Sequence, residues 1–434
     1  MPALRQAQGP ERSRRTKAGI QTEVWPSWPR GQLSAKKMIE RSRIESLLAD
    51  LVRIESINPD LVEGGSGEGE IARLVADFLS RAGLESSCRG IGPASRAKPS
   101  PERSRRASRA NAVGILKGSG GGRSLMFNGH LDTVGVAGMA EPFSGRVEGG
   151  RLYGRGSQDM KGGVAAALLA VEALARGARL KGDVVFAGVA DEEYESKGTR
   201  ALLKEFRTDA AVVMEPTGLE VVTAHKGFVW AEVRTLGRAA HGSRPEEGLD
   251  AIAFMGRVLG GIERLENELA RRRHPSLGGG SVHASTISGG QEFSSYPAEC
   301  KLRVERRLLP GENSQTFERE LQQILSELSA ADEAFRVKLE IGYSALALET
   351  PPATSIVRAL LASAEKVLGP EVRLGAQSFW TDAALLSEAG IPSVLFGPGG
   401  EGLHSAEEYV LVEQVAQCAE VLAECAREFC NARA

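Results

Sequence analysis

Apolar residues recur at two different spacings in the first part of the chain. From Ile44 to Ile54 and from Ile71 to Phe78 they fall three or four positions apart, which predicts two amphipathic helices. Short, continuous apolar runs follow, and these are typical of buried strands. The predicted strands, with one helix of small residues among them, are 112–116, 125–127, helix 164–175, 184–190 and 211–214. This alternation of strands and helices indicates an α/β domain.

A different pattern begins near His225. It predicts about four strands and two helices, in the order 228–233, helix 249–273, 284–288, 301–309, helix 317–328 and 337–343. Such a block is typical of an α+β sandwich. From Pro352 the first pattern returns, and it predicts a helix at 356–367, a strand at 393–396 and a final helix at 412–429. The simplest architecture is therefore an α/β domain that is interrupted by an inserted α+β domain.

Two stretches lack this apolar patterning and are strongly basic. Residues 1–37 and 89–110 each carry a net charge of +6, and they share the hexapeptide PERSRR, at 10–15 and at 101–106. We interpret the first as a low-complexity tail and the second as a disordered surface insert, because both are rich in Pro, Gly, Ser and Arg and poor in apolar residues. Met38 is then a candidate original start. Nucleic-acid binding is the alternative, but no aromatic residues accompany the arginines of the second stretch.

The composition is that of an ordinary globular protein. The 54 basic and 56 acidic residues give a net charge of −2, and the 42% of hydrophobic residues excludes a chain that is disordered throughout. No apolar run reaches the ~18 residues of a membrane-spanning helix, and residues 1–37 lack the apolar stretch of a secretory signal. Five cysteines without metal-type spacing favour a reduced, cytoplasmic setting. Without the two basic stretches the chain carries a net charge of −14, and nothing in this balance favours nucleic acid or a membrane as a partner.

Candidate metal ligands follow the predicted strands. His130 lies in FNGHLDTV, and Asp132 stands two residues further on, where its carboxylate can orient the imidazole. A buried core histidine is the alternative for His130. Asp159 lies in the Gly-rich segment GRGSQDMKGG, where an aspartate either caps a helix or bridges metals. Glu192 and Glu193 directly follow another strand, at a position where a surface turn would also tolerate them.

Two more candidates complete the set. Glu215 ends an apolar strand in VMEPT, and His404 lies in GPGGEGLHSAEEYV after the strand at 393–396. Open α/β sheets place their sites at the carboxyl ends of the strands, so these side chains are predicted to converge there. Two histidines and three carboxylates suit a pair of divalent ions, and nitrogen and oxygen ligands without thiolate fit zinc, cobalt or manganese. One of the paired glutamates would then remain free as a general base.

Seven motifs occur in order along the chain: GHLDTV, GRGSQDMKGG, DEE, MEPTG, AAHGSRPEEG, RRLLPGE and GPGGEGLHSAEEYV. In these motifs the chain resembles the zinc-dependent aminoacylase, deacetylase and carboxypeptidase family, whose members include acetylornithine deacetylase and succinyl-diaminopimelate desuccinylase. The resemblance covers residues 38–434 apart from the insert. It implies a zinc-peptidase-like catalytic domain at 38–222 and 346–434, and an inserted α+β lid domain at 223–345 that mediates dimers.

Residue by residue, the resemblance also implies a division of the metal ligands. Asp159 would bridge the two metals. His130 and Glu215 would complete one metal site, and Glu193 and His404 would complete the other.

The same resemblance implies roles for residues around the metals. Asp132 would orient His130, and Glu192 would be the general base that takes a proton from the attacking water. His241 would stabilise the oxyanion, within its own chain or across a dimer, although a turn-capping surface histidine is the alternative. Arg307 would bind a substrate carboxylate, with a surface charge at a strand edge as the alternative.

Two further positions remain open. Ser294 is a candidate substrate-binding residue that stands where the family often has an asparagine, which leaves the substrate contacts at this point undecided. Asp382 resembles a family aspartate near the site, and a helix N-cap explains it equally well.

The activity implied is removal of an acyl group from an N-acyl amino acid, with acetylornithine-like and succinyl-diaminopimelate-like substrates leading. A metallo-carboxypeptidase or dipeptidase of the same family is the alternative. A third hypothesis is a non-catalytic metal-binding scaffold, but a scaffold would have no need of Glu192 beside Glu193. The expected partners are a small N-acyl amino acid or short peptide and a second copy of the chain, with no nucleic acid and no membrane.

Overall fold

The computed structural model describes residues 40–92 and 108–433. Its α-helices are α1 (Arg41–Arg53), α2 (Gly69–Arg81), α3 (Gly162–Ala175), α4 (Lys197–Leu202), α5 (Ala251–Leu269), α6 (Ser314–Ala331), α7 (Ser355–Leu368), α8 (Ala383–Glu388) and α9 (Val412–Asn431). Its strands are β1 (Glu85–Gly90), β2 (Ala110–Leu116), β3 (Leu125–His130), β4 (Arg146–Glu148), β5 (Arg151–Tyr153), β6 (Val184–Val189), β7 (Ala210–Val213), β8 (Val221–His225), β9 (Gly227–Leu236), β10 (Arg273–His274), β11 (Gly278–Gly279), β12 (Ser281–Gly289), β13 (Glu299–Leu308), β14 (Arg336–Ala345), β15 (Leu348–Glu349), β16 (Leu374–Gln377), β17 (Ser393–Leu395), β18 (Gly400–Glu401) and β19 (Tyr409–Leu411).

The largest sheet has nine strands and a parallel centre. Its order is β1-β2-β6-β3-β7-β17-β8-β15, with β16 beside β8, and β6, β3, β7 and β17 run parallel to one another. Successive side chains of β3 point to opposite faces, so Phe127 belongs to the core that contains residues of α1, α2, α3, α7 and α9, whereas Met126 belongs to the core that contains residues of α4 and α8. Helices therefore cover both faces, which explains why β3, β6 and β7 are buried along their whole length and consist mostly of apolar residues.

A second sheet of four strands has its own core. Its order is β12-β13-β9-β14, all antiparallel, and helices α5 and α6 pack on one of its faces. Along β9 the buried residues Val229 and Val233 point toward these helices, and the alternate residues Phe228 and Trp230 point to the other face. This is the predicted block of two helices and about four strands, and the predicted fold, an α/β domain with an inserted α+β domain, is confirmed.

The chain enters the small sheet at Gly227. The predicted crossing between residues 222 and 223 falls inside β8, which still belongs to the large sheet. A Cβ atom on Gly227 would lie 2.4 Å from the carbonyl oxygen of Ala345, on the strand by which the chain leaves the small sheet. The two crossing strands are thus in backbone contact, which requires glycine at this position.

The predicted disordered insert is wrong at both of its ends. Arg89 and Gly90 belong to β1 and pair with Asn111 and Ala110 of β2, and Arg109 is buried in a network of ion pairs. The basic composition gave no sign that these residues are ordered. A buried arginine needs carboxylates around it, and those of Arg109 come from distant segments. The centre of the insert at 93–107, the tail at 1–37 and Met38 lie outside the described residues.

Within residues 40–92 and 108–433, no helix is both long enough and apolar enough to cross a lipid bilayer. The five cysteines are free thiols, and all but Cys88 are buried.

Candidate metal centre

The parallel strands at the centre of the large sheet bring the candidate ligands to one edge. His130 is the last residue of β3, Glu193 follows the end of β6 by four positions, and Glu215 follows the end of β7 by two. Since β6, β3 and β7 are parallel neighbours, their carboxyl ends lie side by side. The predicted convergence at this edge of the sheet is what the structure shows for these three residues.

Asp159 reaches the same edge from the turn that precedes α3. The backbone approaches β7 very closely here, since a Cβ atom on Gly163 would lie 2.0 Å from the carbonyl oxygen of Met214. That approach brings Asp159 close to Glu215, the residue after Met214. His404 comes from the loop between β18 and β19, and β19 pairs with β5 just before the Asp159 turn.

The five side chains form two groups that share Asp159. His130 Nε2 lies 2.9 Å from Asp159 Oδ1, and one ligand atom each of His130, Asp159 and Glu215 fall within 4.8 Å of one another. His404 Nε2 lies 3.4 Å from Asp159 Oδ2 and 3.3 Å from Glu193 Oε1, and these three residues form the second such group. Nitrogen and carboxylate oxygen donors without thiolate fit borderline and hard divalent cations, so the donor set fits the predicted pair of metal ions.

The electrostatics of the centre favour a cation. Burial raises the pKa of Glu215 well above its ordinary value, and the negative charge of Asp159 raises it further. Burial likewise raises the pKa of Glu193. Hydrogen bonds to Asp159 and Glu193 raise the pKa of His404 to about 10. Carboxylates crowded in a dry site repel one another, and positive charge from imidazolium or from metal relieves that repulsion.

Glu192 lies in the same buried region. Burial raises the pKa of its carboxyl well above the ordinary value; the charge of His130 opposes this rise and the charge of Glu215 adds to it. Raised pKa values of buried carboxyls are typical of groups that exchange protons in active sites.

Asp132 contacts both His130 and the Glu192–Glu193 turn. Its backbone carbonyl, and not the predicted carboxylate, makes the closer contact with the His130 ring. The His130 Nδ1 atom lies 2.9 Å from the backbone carbonyl oxygen of Asp132 and 3.7 Å from its carboxylate. With the proton on Nδ1, the ring donates to that carbonyl and leaves Nε2 facing Asp159. The Asp132 carboxylate instead accepts hydrogen bonds from the backbone N–H groups of Glu192, at 3.1 Å, and Glu193, at 3.2 Å.

A buried ionic network supports the Glu192–Glu193 turn, and the sequence interpretation missed it. Asp191 has a φ of 71°, which is uncommon for a residue with a side chain. Its carboxylate accepts hydrogen bonds from Arg109 at 2.9 Å and from Asn58 at 3.0 Å. Asn58 also donates to Asp132 at 2.9 Å, and Arg109 is paired with Glu68 as well. Arg109 lay within the basic stretch, so no feature of the sequence distinguished it.

Glu408 supports the Asp159 turn in a similar way. Its carboxylate accepts hydrogen bonds from the backbone N–H groups of Gln158 at 2.9 Å and Asp159 at 3.2 Å, and it forms a buried ion pair with Arg155 at 2.5 Å. Arg155 also donates to the backbone carbonyl of Ser405, next to His404. This pair therefore links the segments that carry two of the candidate ligands. Its signal was present in the motif HSAEEYV, but its partner could not be inferred from the sequence.

His241 and Ser294 lie together on the part of the chain that carries the small sheet. His241 pairs with Ser295 in an isolated bridge, and Gly242 donates to the carbonyl of Ser294 at 2.7 Å. The His241 ring is exposed, and its Nδ1 atom lies 2.8 Å from the Ser243 hydroxyl. Among the residues that the structure describes, no hydrogen bond or ion pair joins His241 or Ser294 to the metal ligands, so their predicted roles stay predictions.

Arg307 and Asp382 occupy different surroundings. Arg307 is half-buried on β13, where it forms an ion pair with Glu305 at 2.7 Å. Asp382 is buried at the first position before α8, but its side chain makes no capping bond and accepts one from Thr199 at 2.6 Å instead. Burial raises the pKa of Asp382 to about 6, and its charge acts on both Glu192 and Glu215. The structure thus favours the interpretation of Asp382 as a residue of the site over that of a helix cap.

Comparison with known proteins agrees with this geometry. The family model described as peptidase family M20/M25/M40 matches residues 126–428. An acetylornithine deacetylase from Myxococcus xanthus is 32% identical over 335 residues, which are 75% of this chain and 85% of the relative. An N-formyl-4-amino-5-aminomethyl-2-methylpyrimidine deformylase from Halalkalibacterium halodurans is 30% identical over 357 residues, 74% of this chain and 83% of the relative.

Solved structures show the same fold. The aminopeptidase PepT from Bacillus cereus has a TM-score of 0.72 at 18% identity, and the match covers 91% of this chain and 100% of that one. The YXEP protein from Bacillus subtilis, described as a dinuclear metal binding peptidase, has a TM-score of 0.66 at 17% identity, with 89% and 97% covered.

The protein belongs to peptidase family M20/M25/M40. It is a hydrolase that acts on amide bonds, and both the predicted resemblance and the predicted enzyme class are confirmed.

Proposed function

We propose that the protein removes the acyl group from an N-acyl amino acid by metal-assisted hydrolysis. The observation that carries this proposal is the pair of ligand groups that share Asp159. His130, Asp159 and Glu215 would hold one divalent ion, and Asp159, Glu193 and His404 the other, with zinc first and cobalt or manganese as alternatives. When bound, two such ions lower the pKa of a coordinated water and polarise the substrate carbonyl.

We assign Glu192 as the proton carrier, and its burial beside His130 and Glu215 supports this role. Its carboxylate would accept a proton from the attacking water and then pass it to the nitrogen of the leaving amine. The hydrogen bonds of Asp132 to the N–H groups of Glu192 and Glu193 support this role, because they hold the backbone that carries the base.

Three residues of the inserted domain would act on the substrate. His241 would donate a hydrogen bond to the developing oxyanion, a contact whose removal typically costs about 2.7–4 kcal/mol of transition-state stabilisation. Arg307 would bind the carboxylate of the amino-acid part through its planar guanidinium. Ser294, beside His241, would offer one hydroxyl to the substrate.

Names of the relatives favour acyl removal over peptide cleavage. Three relatives that are 30% or more identical are named for removal of an acyl group, acetyl in two of them and formyl in the third. N-acetylornithine and N-succinyl-diaminopimelate are therefore the first substrates to test. A metallo-carboxypeptidase or dipeptidase is the second candidate, since a neighbour in fold is the human carnosine dipeptidase 1.

A substrate panel on the metal-loaded protein tests the proposal. N-acetyl, N-formyl and N-succinyl amino acids should be hydrolysed faster than dipeptides at equal concentration, with amine release as the readout. Faster turnover of dipeptides would favour the second candidate, and no hydrolysis of either class would reject both.

Glu192→Gln tests the assigned base. The variant should retain the metal content of the unaltered protein by elemental analysis, because Glu192 belongs to neither ligand group. Turnover should fall by roughly 10²–10⁴-fold or more, since glutamine cannot accept a proton. Glu407→Gln, which changes an exposed glutamate near His404, is the matched control and should leave both properties unchanged. A Glu192→Gln variant with full activity would reject the assignment.

We also propose a homodimer formed through the small sheet. Strand β12 stands at the edge of that sheet, its residues 283–289 are exposed, and Ile287 is 54% exposed. An unpaired edge strand is a surface on which a second copy can continue the sheet. Sedimentation of the full chain should show a dimer, and a monomer at micromolar concentration would contradict this.

A further inference from the structure

Four aromatic side chains form a continuous patch beside Arg307. Phe228 and Trp230 alternate along β9, and their ring centroids are 5.3 Å apart. Tyr343 of β14 lies 5.8 Å from both rings, and Trp380 meets Phe228 edge-on at 6.0 Å. These are the distances and angles that aromatic rings prefer. The structure describes two tryptophans, Trp230 and Trp380, and both lie in this aromatic patch.

The aromatic patch lies on the uncovered face of the small sheet. Helices α5 and α6 cover the opposite face, where Val229 and Ala231 are buried. Trp230 remains 42% exposed, although an indole is among the most apolar groups of the chain. Such exposure of neighbouring aromatic rings is typical of a surface that binds a ligand.

An irregularity in the backbone of β14 orients Tyr343 toward the uncovered face of the small sheet. The register of β14 against β9 shifts between Ile341 and Ser344, so Tyr343 sits in an irregular stretch opposite Trp230. Irregularities of this kind re-aim side chains and are enriched next to active sites. The Tyr343 hydroxyl accepts a hydrogen bond from Arg200 at 3.2 Å.

The aromatic patch is continuous with the candidate metal centre. Arg200 belongs to α4, which follows the Glu192–Glu193 turn, and its neighbour Thr199 donates to Asp382 at 2.6 Å. Trp380 is two residues before Asp382. Arg200 and Trp380 therefore connect the aromatic patch to Thr199 and Asp382 beside the candidate metal centre.

Cationic groups border the aromatic patch. Arg307 stands directly across from Phe228 in the register of β13, and its guanidinium carbon lies 5.6 Å from the centre of the phenyl ring. Arg200 borders the other side at Tyr343. Glu305 pairs with Arg307 at 2.7 Å and accepts a hydrogen bond from Trp230 Nε1 at 2.9 Å, so a substrate carboxylate would share Arg307 with Glu305 or displace it.

We propose that Phe228, Trp230, Tyr343 and Trp380 form a subsite that binds an aromatic side chain on the amino-acid part of the substrate, while Arg307 binds its α-carboxylate. The two groups are joined to one carbon atom in such a substrate, which matches the contact between Arg307 and Phe228. This inference rests on the proposed amide hydrolysis and narrows its substrate class to N-acyl aromatic amino acids.

Trp230→Ala provides the test in the full-length, metal-loaded protein. We expect kcat/KM for N-acetylphenylalanine to fall ~10-fold or more through KM, while kcat/KM for N-acetylalanine changes less than about twofold. Trp230→Phe should restore most of the loss, because it keeps an aromatic face. Leu374→Ala is the matched control, since it removes an equally exposed apolar side chain from β16 in the other sheet.

Three results would overturn the subsite. The first is an equal loss for both substrates, which would show that Trp230 only holds the two sheets together. The second is a preference of the unaltered protein for N-acetylornithine over N-acetylphenylalanine. The third is a change from dimer to monomer in Trp230→Ala by sedimentation, which would make the patch an interface between copies.

A binding measurement separates this inference from the proposed function. Calorimetric titration of N-acetylphenylalanine into metal-loaded Glu192→Gln protein, with and without Trp230→Ala, reports the subsite without turnover. Binding that depends on Trp230, in a protein that hydrolyses no N-acyl amino acid, would support the subsite and reject the function. Hydrolysis of N-acetylalanine with no effect of Trp230 on any substrate would support the function and reject the subsite.

Discussion

Asp159 contacts both histidines of the candidate metal centre, with Oδ1 toward His130 and Oδ2 toward His404. Burial would by itself raise the pKa of Asp159, but its hydrogen bonds with these two histidines hold the pKa below the ordinary value. The hydrogen bond from His404 lowers the pKa of Glu193 and the charge of His130 lowers that of Glu215, but burial outweighs these contributions and both pKa values are raised. Buried carboxylates whose ionisation is unfavourable in the folded protein are typical of functional sites, where a bound cation stabilises the charged form.

His225 shows the opposite behaviour of a buried histidine. It is fully buried next to Trp380, and its Nδ1 atom lies 3.0 Å from the carbonyl oxygen of Lys226. Burial lowers its pKa to about 4, so the folded protein keeps this ring neutral. The folded pKa lies below that of an exposed histidine, about 6.5. Between these two values the unfolded chain binds a proton that the folded chain does not, so stability falls as the pH falls through this range.

His225→Leu should therefore reduce the acid sensitivity of the fold. Between about pH 7.5 and about pH 5.5, the unaltered protein should lose about 1 kcal/mol more unfolding free energy than the variant. Urea unfolding of both chains in chelator at the two pH values measures this difference, and the chelator removes metal release as a cause. An equal loss in both chains would contradict the assignment of a neutral, buried His225.

Two short elements, the Asp159 turn and the His404 loop, are connected by the buried pair of Glu408 and Arg155. The Glu408 carboxylate accepts hydrogen bonds from the Asp159 turn, and Arg155 donates to the carbonyl next to His404. Neither turn is part of the central sheet, so their relative position depends on such side-chain bonds. Residues that position metal ligands through hydrogen bonds affect metal affinity, although they do not contact the metal themselves.

Glu408→Gln should weaken metal binding by roughly 10–100-fold. A glutamine keeps the size of the side chain but replaces one carboxylate oxygen by an NH₂ group. That group cannot accept the hydrogen bonds that the oxygen accepts, so it repels the N–H donors on that side. Metal titration of the apoprotein measures the change. Glu407→Gln, at the exposed neighbouring position, is the control and should bind metal as tightly as the unaltered chain. Equal affinity in both variants would reject the positioning role of Glu408.

At the scale of the whole molecule, the chain builds two hydrophobic cores, one under the large sheet and one under the small sheet. The candidate metal ligands come from the large sheet and from the loops around it, whereas His241 and Arg307 come from the part of the chain that carries the small sheet. His241 is exposed, and within residues 40–92 and 108–433 no hydrogen bond or ion pair joins it to the metal ligands. We therefore expect it to act on the site of a partner subunit.

Mixing two inactive variants tests this expectation. His241→Ala and Glu192→Gln should each lack activity alone. If His241 acts across a symmetric dimer, a mixed dimer contains one intact site, and an equal mixture refolded together should recover about one quarter of normal activity. A mixture as inactive as its components would show that His241 acts within its own chain.

The elements of the fold were largely predictable, and so was their grouping. Central strands such as β6 and β7 are apolar throughout because both faces of the sheet are covered, and β3 is apolar over 125–127. Helices such as α9 carry apolar residues at helical spacing. Several elements were not predicted: helices α4 and α8, and strands β1, β4, β5, β8, β10, β11, β15, β16, β18 and β19. Most of these strands are two to four residues long. Strands of two or three residues carry too little pattern, and β4, β5, β18 and β19 form because the segments around the metal centre are held together.

The sequence by itself determined the residue types of the candidate centre and their order along the strands. His130, Glu193 and Glu215 could be inferred because each follows a strand of a parallel sheet, whose carboxyl ends must meet at one edge. The motifs also determined the family, which the comparisons confirm.

Only the tertiary structure decided how that centre is supported. Arg109 was assigned to a disordered insert, yet it is buried against Asp60, Glu68 and Asp191, segments far apart in the chain. The aromatic patch likewise joins residues from β9, β14 and the loop before α8. Local spacing predicts which side chains share a helix or strand face, because that depends on backbone geometry alone. Which distant side chains surround a charge or a ring depends on how the packed elements meet, and the pattern of neighbours along the chain does not contain that information.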